Sequence, residues 1–233
     1  MTAFRVEPDV FDAFPAARFA AVIARGIDNR RGSDEAAARL AAAVEATRQA
    51  FAGMDPKVLP AIGVWREAFG ARGWTPSKYF SSIEALVRRI SRGGDLPSIN
   101  PAVDLANSVS LRRLVPIGAH DLGSATQGIV VRLAAPEDRF RPMGDGPDET
   151  PDPGEIVYAS GLDVRTRRWV WRQSRTGLVT ATTRDVLFPI DGFDPVTGDA
   201  VRAAAAELAD LVPTLLGGSA HVYHIDPEHP SAD

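Results

Sequence analysis

The hydrophobic pattern of this chain changes period once, near Val115, and that switch limits the fold more than any single motif. Before it, apolar residues recur mostly at helical spacing. After it they come as short β-branched and aromatic runs with turn residues between them. Residues 3–30 read as extended, with FRVE and ARFAAVIARGI separated by a turn at Pro15. A helix then opens with Ser33 as N-cap, has Asp34 and Glu35 in its first turn, and ends at Gly53. A second helix spans 62–71. The third carries a capping-box pattern, Ser81 and Glu84, followed by an apolar face at Ile83, Leu86, Val87 and Ile90. The fourth runs over 101–113.

Strands are expected at 128–134, 155–160, 167–173 and 184–190, with an acidic Pro/Gly-rich surface loop over 141–155. A last helix from Thr197 to Leu211 meets Pro213, which should end or kink it. A closing strand over 221–225 and a frayed tail complete the chain. This order predicts an α+β fold, a single domain over 1–233 with a mixed, mostly antiparallel sheet flanked by helices. It lacks the βαβ alternation of dinucleotide-binding folds, and neither a GxGxxG nor a P-loop is present.

Composition narrows the chemistry. The chain has no cysteine, which excludes a disulfide scaffold, a thiolate metal site and a cysteine nucleophile. No apolar run reaches the ~18 residues of a membrane span, and the first residues do not read as a signal peptide. A soluble, cytoplasmic protein is expected. The net charge of −4 argues against a general nucleic-acid coat. Its distribution is uneven. Arg165, Arg167, Arg168, Arg172, Arg175 and Arg184 fall in a stretch without acids, while 144–160 holds five acids and no base. The split reads either as a phosphate-binding footprint beside an acidic loop or as two solvated strand faces. His221 and His224 would point to opposite faces of a strand, so no metal site is expected. Trp169 and Trp171 read as packing residues.

Polar residues embedded among apolar ones cluster at the helix-to-strand junction, in INPAVDLAN (99–107) and PIGAHDL (116–122). Asp104 and Asn107, three apart, share a helix face; capping of helix ends is the plain structural reading. These segments, followed by the GIVVRLA strand, resemble the B3/B4 domain of the β subunit of bacterial phenylalanyl-tRNA synthetase. The matching positions are Val103, Asp104 and Asn107; Pro116, Ala119 and Asp121; Gly128, Ile129, Val131, Arg132 and Ala134. The stretch 77–100 also resembles the helix preceding the motif, and the likeness extends over about 60–215. The later strands look more like free-standing members.

That resemblance implies an editing activity that hydrolyses the ester of a mischarged aminoacyl-tRNA, here acting in trans. Such an ester is already activated, so a positioned water and hydrogen-bond donors for the oxyanion suffice, without cofactor or metal. On this basis Asn107, Gly118, His120, Thr182 and Thr183 are expected to position the ester and water. Asp191, Asp104 and Asp121 are expected on the substrate side, and Arg132, Arg172 and Arg175 at tRNA phosphates. Aminoacyl-tRNA is the expected partner, with transient synthetase contact.

Two departures stand out. The family histidine is Gly118 here, and histidine returns at His120. Where the family has a small residue lining the amino-acid pocket, an ungapped match from Thr183 places Asp191. A carboxylate there disfavours an aromatic side chain and suits a cationic one, arginine-like, such as canavanine. Asp191-Gly192 reads equally as a β-turn. A non-catalytic tRNA- or synthetase-binding module and a small-molecule amino-acid esterase or amidase are the alternatives.

Overall fold

A computed structural model describes residues 2–233. It is an α+β structure built on two sheets. The strands are β1 (Phe4–Val6), β2 (Ala17–Arg25), β3 (His120–Asp121), β4 (Ile129–Leu133), β5 (Arg139–Phe140), β6 (Ile156–Ser160), β7 (Asp163–Arg167), β8 (Arg172–Gln173), β9 (Val186–Phe193), β10 (Ser219–Ile225) and β11 (Ser231–Ala232). The helices are α1 (Pro8–Ala13), α2 (Ser33–Ala50), α3 (Pro60–Ala71), α4 (Ser82–Ser91), α5 (Pro101–Arg113) and α6 (Gly198–Leu216).

One sheet has the order β11-β1-β4-β6-β7-β5, with β8 also on β7. It is mixed, because β1 runs parallel to β4 and β5 parallel to β7. The other, β10-β2-β9-β3, is antiparallel throughout. Period-two alternation along its central strands separates two apolar cores. Ala20, Val22 and Ala24 of β2, with Val186, Phe188 and Ile190 of β9, pack with Leu105 and Val109 of α5 and Leu208 and Val212 of α6. The opposite face, Phe19, Ala21 and Ile23 with Leu187 and Phe193, packs with Phe4, Ile129, Val131 and Tyr158 of the mixed sheet and with Trp65 and Trp169. The same alternation turns Asp191 toward this second core, between the sheets.

Several elements differ from the sequence reading. Residues 8–13 form a helix, started by Pro8 at its first position, where its fixed φ and missing N–H cost nothing. Gly32, not Ser33, is the cap of α2. It has φ +67°, and a Cβ there would lie 2.8 Å from the Leu215 carbonyl oxygen. The capping box is half formed: Ser81 accepts from the Glu84 amide at 3.3 Å, while the Glu84 carboxylate turns to Arg66 at 2.7 Å. The 167–173 run is not one strand. Arg168 and Trp169 have positive φ and break it into β7, a turn and β8. Pro213 does not end α6, which runs on to Leu216: the proline forgoes the hydrogen bond its N–H would give to the Ala209 carbonyl, but its own carbonyl still accepts from the Gly217 amide at 3.1 Å. The tail is not frayed: β11 pairs with β1, and Ala3 donates to the Ala232 carbonyl at 2.9 Å.

Candidate functional site

The junction motif builds scaffold first. Asn100 caps α5 by accepting from the Val103 amide at 3.2 Å, and its Nδ2 donates to the Val179 carbonyl at 3.0 Å. Asn29, which the sequence did not single out, donates to Asn100 Oδ1 at 3.0 Å and to the Thr180 carbonyl at 2.8 Å, and accepts from the Ala102 amide at 2.9 Å. Asp104 accepts from Ser98 Oγ and from the Ile99 amide. These contacts fix the entry of α5 against the 178–183 loop. Asp104, expected on the substrate side, is therefore a buried clamp of the preceding turn.

Between the two sheets lies a cavity of about 80 Å³, lined by Gly118, His120, Tyr158, Trp169, Trp171, Asp191 and neighbours. Asp191 is 2% exposed. Its Oδ1 accepts from Tyr158 Oη at 2.5 Å and from Trp169 Nε1 at 3.0 Å. Among the described residues no group bonds Oδ2, and no Lys, Arg or His forms an ion pair with Asp191. Burial raises the Asp191 carboxyl to about 7, against the opposing pull of the two hydrogen bonds. The same burial, with the carboxylate beside it, holds the Tyr158 hydroxyl protonated, as its donation to Asp191 requires.

His120 lies along Tyr158, rings 5.8 Å apart and 19° from parallel. Burial, with the Arg165 charge behind it, lowers its pKa to about 3, so the ring is neutral at physiological pH. Its Nδ1 is buried without a partner. A Cβ on Gly118 would sit 3.1 Å from His120 Nε2 and 3.1 Å from Pro189 Cγ. His120 thus occupies the space into which a side chain at 118 would project. The Gly118 amide is held by the Pro189 carbonyl at 2.9 Å, which fixes this segment against β9.

A larger chamber of about 410 Å³ adjoins the first and shares Ile117, Trp171, Arg172 and Gln173 with it. Asn107 lines this chamber and not the inter-sheet cavity. Thr182, Thr183 and Asp121 lie together in a third, open depression. There Thr183 Oγ1 accepts from the Thr180 amide at 2.9 Å, and Asp121 caps a short turn by accepting from the Gly123 amide at 3.0 Å. Of the expected residues, the fold therefore gathers Gly118, His120, Asp191 and Arg172 in one cavity and leaves the threonines and Asp121 outside it. Tyr158 and Trp169, which hold Asp191, were not singled out as partners. The alternation of EIVYAS points Tyr158 inward, but nothing local tells which residue it meets.

The arginine stretch finds its partners in the acidic loop. Arg167 pairs with Glu155 at 2.8 Å and Glu149 at 2.6 Å, Arg168 with Asp152, and Arg172 with Glu149. Arg165 is buried and donates to the Ser124 carbonyl at 2.8 Å. Arg132 makes a two-pronged pair with buried Asp138, both distances 2.7 Å. The expected phosphate footprint is thus largely an internal charge network. Arg175 remains at the surface, donating to the Gly144 carbonyl at 3.1 Å. No group of acids and histidines suited to a metal occurs among the described residues, nor is any helix among them long and apolar enough to cross a membrane.

The family model described as "B3/4 domain" matches residues 64–215. The match covers more than half of the chain, which belongs to the B3/4 domain family. Phenylalanine–tRNA ligase β subunits are similar to it: that of Dickeya dadantii (strain 3937) is 35% identical over 107 residues, 45% of this chain and 13% of the subunit. That of Nocardia farcinica (strain IFM 10152) is 32% identical over 111 residues, 48% and 13% respectively. The chain's match thus spans 13% of the length of these relatives. Among solved structures, an N-terminal fragment of the phenylalanyl-tRNA synthetase β subunit from Pyrococcus horikoshii matches with a TM-score of 0.48 and 13% identity, over 96% of this chain and 53% of that one.

Proposed function

We propose that this chain hydrolyses, in trans, the ester of mischarged tRNA whose amino acid carries a cationic, arginine-like side chain such as that of canavanine. One observation carries the reading. Asp191 is a buried carboxyl with both neutral donors on one oxygen, no cation beside it among the described residues, and a cavity before it. Burying a charge without a counter-ion is costly, and a guanidinium-like group entering the cavity would supply that counter-ion with paired hydrogen bonds. Tyr158, Trp169 and Trp171 give aromatic walls, which also favour a cation. The neutral His120 ring and Gly118 lie in the same cavity. A neutral imidazole of such low basicity would hold the attacking water or the ester carbonyl by a hydrogen bond; it would not store a proton. The membership in a family shared with tRNA-ligase β subunits supports tRNA as the carrier of the ester.

The internal pairing of the arginines favours a second reading, a hydrolase of free amino-acid esters that makes little contact with tRNA. Purified protein mixed with a panel of aminoacyl-tRNAs, including arginyl- and canavanyl-tRNA, separates the two. Release of the cationic amino acids ahead of phenylalanine and tyrosine is expected. Release from small esters alone would favour the second reading, and a mobility shift of tRNA without release would mean a binding module.

A further inference from the structure

We propose that β10 is a pairing edge for a second copy of this chain. Two β10 strands, run antiparallel about a two-fold axis at Val222, would join the antiparallel sheets of both copies into one. Three observations converge, and none depends on the hydrolytic reading above.

The first is the length of the edge. β10 ends the sheet order β10-β2-β9-β3 and pairs with β2 over all seven residues, Ser219 to Ile225, in one unbroken register. The other strands at sheet ends, β3, β5 and β11, have two residues each. Such short strands leave little to pair with, whereas a long edge presents backbone N–H and C=O groups of alternate residues to the outside. Among the described residues no strand lies on the outer side of β10. The tail that follows crosses to the mixed sheet, where its Ala232 and Pro230 carbonyls accept from the Ala3 and Val6 amides, both at 2.9 Å.

The second is what this edge lacks. The strand reads SAHVYHI, with no Lys, Arg, Asp, Glu, Pro or Gly and no bulge. Those are the devices that keep the edges of monomeric sheets from pairing. Ala220 and Val222 are half-buried on the face turned to α6, and Tyr223 is half-buried on the other. A neighbouring strand would cover the rest of their apolar surface. With the axis at Val222, that residue meets its own copy, His221 meets Tyr223 and Ala220 meets His224, so no histidine opposes a histidine.

The third is charge, which selects the partner. At the start of β10, Arg31 reaches over the turn: a Cβ on Gly217 would lie 3.3 Å from its Nη1. Arg30 and Arg31 are both exposed there against one acid, Asp28, while Arg25 is paired with Asp185. At the far end, Asp226 and exposed Glu228 follow Ile225. Neither Arg31 nor Glu228 forms an ion pair among the described residues. An antiparallel second copy sets the basic start of each strand against the acidic end of the other, and symmetry makes the contact twice. Asp191 lies on β9, beyond β2 from this edge, so the inter-sheet cavity of each copy stays open.

The test is sedimentation velocity on the full chain at low salt, over an about 100-fold range of concentration, which should show a monomer–dimer equilibrium. Hydrogen exchange at the two ends of that range should show slower exchange in 219–225 when the protein is concentrated. Arg31→Glu should weaken the dimer about 10-fold, and adding Glu228→Arg should restore it. Val222→Lys sets two like charges directly opposite each other at the axis and should abolish the dimer. Thermal transitions check that each variant is folded. Should Val222→Lys fail to fold, the charge swap, confined to exposed residues, reads the same interface. A monomer at every concentration, a dimer without added protection in 219–225, or a dimer that the charge swap leaves unmoved would overturn the proposal.

Discussion

Two regions of the molecule bury charge, and they do so in opposite ways. Along β7 and β8, buried Arg167 and Arg168 face Glu149, Asp152 and Glu155 from the loop that crosses them, so each charge meets its opposite. Glu155 alone accepts from Arg167 Nε at 3.0 Å, from Arg167 Nη2 at 2.8 Å and from the Arg168 amide at 2.8 Å. At Asp191 the surroundings are just as dry, but among the described residues the carboxyl meets only a phenol and an indole. A matched network needs nothing from outside and fixes the fold. An unmatched carboxyl facing a cavity is an incomplete set of interactions, and a ligand can complete it.

The comparison breaks first at Glu155. Glu155→Ala leaves two buried guanidinium groups short of a partner and should cost about 3–5 kcal/mol of stability, read from urea midpoints. A loss within about 0.5 kcal/mol would mean the network is solvated and the contrast false.

The second effect has the opposite sign. The Asp191 carboxyl is held at about 7 in the folded protein, above its ordinary 3.8, so the neutral form is the one the fold favours. The unfolded chain releases that proton earlier. The stabilising preference is complete below about pH 4 and is lost as pH rises toward 7. Asp191→Asn has no such loss. It should match the parent chain near pH 4 and exceed it at pH 8 by a few kcal/mol, on the order of 1.4 per unit of pKa difference. Parallel stability curves from pH 4 to 8 would show that Asp191 is not strained by its burial.

The smallest effect sharpens the site's geometry. Gly118→Ala places a methyl 3.1 Å from both His120 Nε2 and Pro189 Cγ. It should cost about 1–3 kcal/mol by crowding and slow any reaction that uses the ring. Unchanged stability would mean that His120 does not fill the space beside position 118.

Local signals made much of the frame legible. Asn100 before Pro101 marks the start of α5 as the structure has it, and the alternation in GIVVRLA and EIVYAS marks β4 and β6. The failures are tertiary. RRWVWRQ has strand composition, but Trp169 reaches the core only because Arg168 and Trp169 take positive φ, which no propensity announces. Once there, Trp169 packs with Trp65 at 5.2 Å and donates to Asp191. The SAD tail becomes a strand only because β1 offers it an edge. The arginine stretch and the acidic loop were both visible, but not that one would neutralise the other. At Asp191-Gly192 the dipeptide fits a turn as well as a pocket. The structure places both residues within β9, with Asp191 paired to Phe19 across the sheet.

The central claim is that Asp191 recognises positive charge on the acyl group. It is tested most directly by comparing deacylation of arginyl-tRNA with that of the same tRNA carrying citrulline, a neutral analogue of nearly the same shape, by the parent chain and by Asp191→Asn. The parent chain should prefer the arginyl ester by a factor of about 100, in line with a charge-assisted pair in a dry site. Asp191→Asn should bring the two rates together, mainly by slowing the arginyl ester. Equal rates on the two esters by the parent chain, or a preference that survives in Asp191→Asn, would contradict the account.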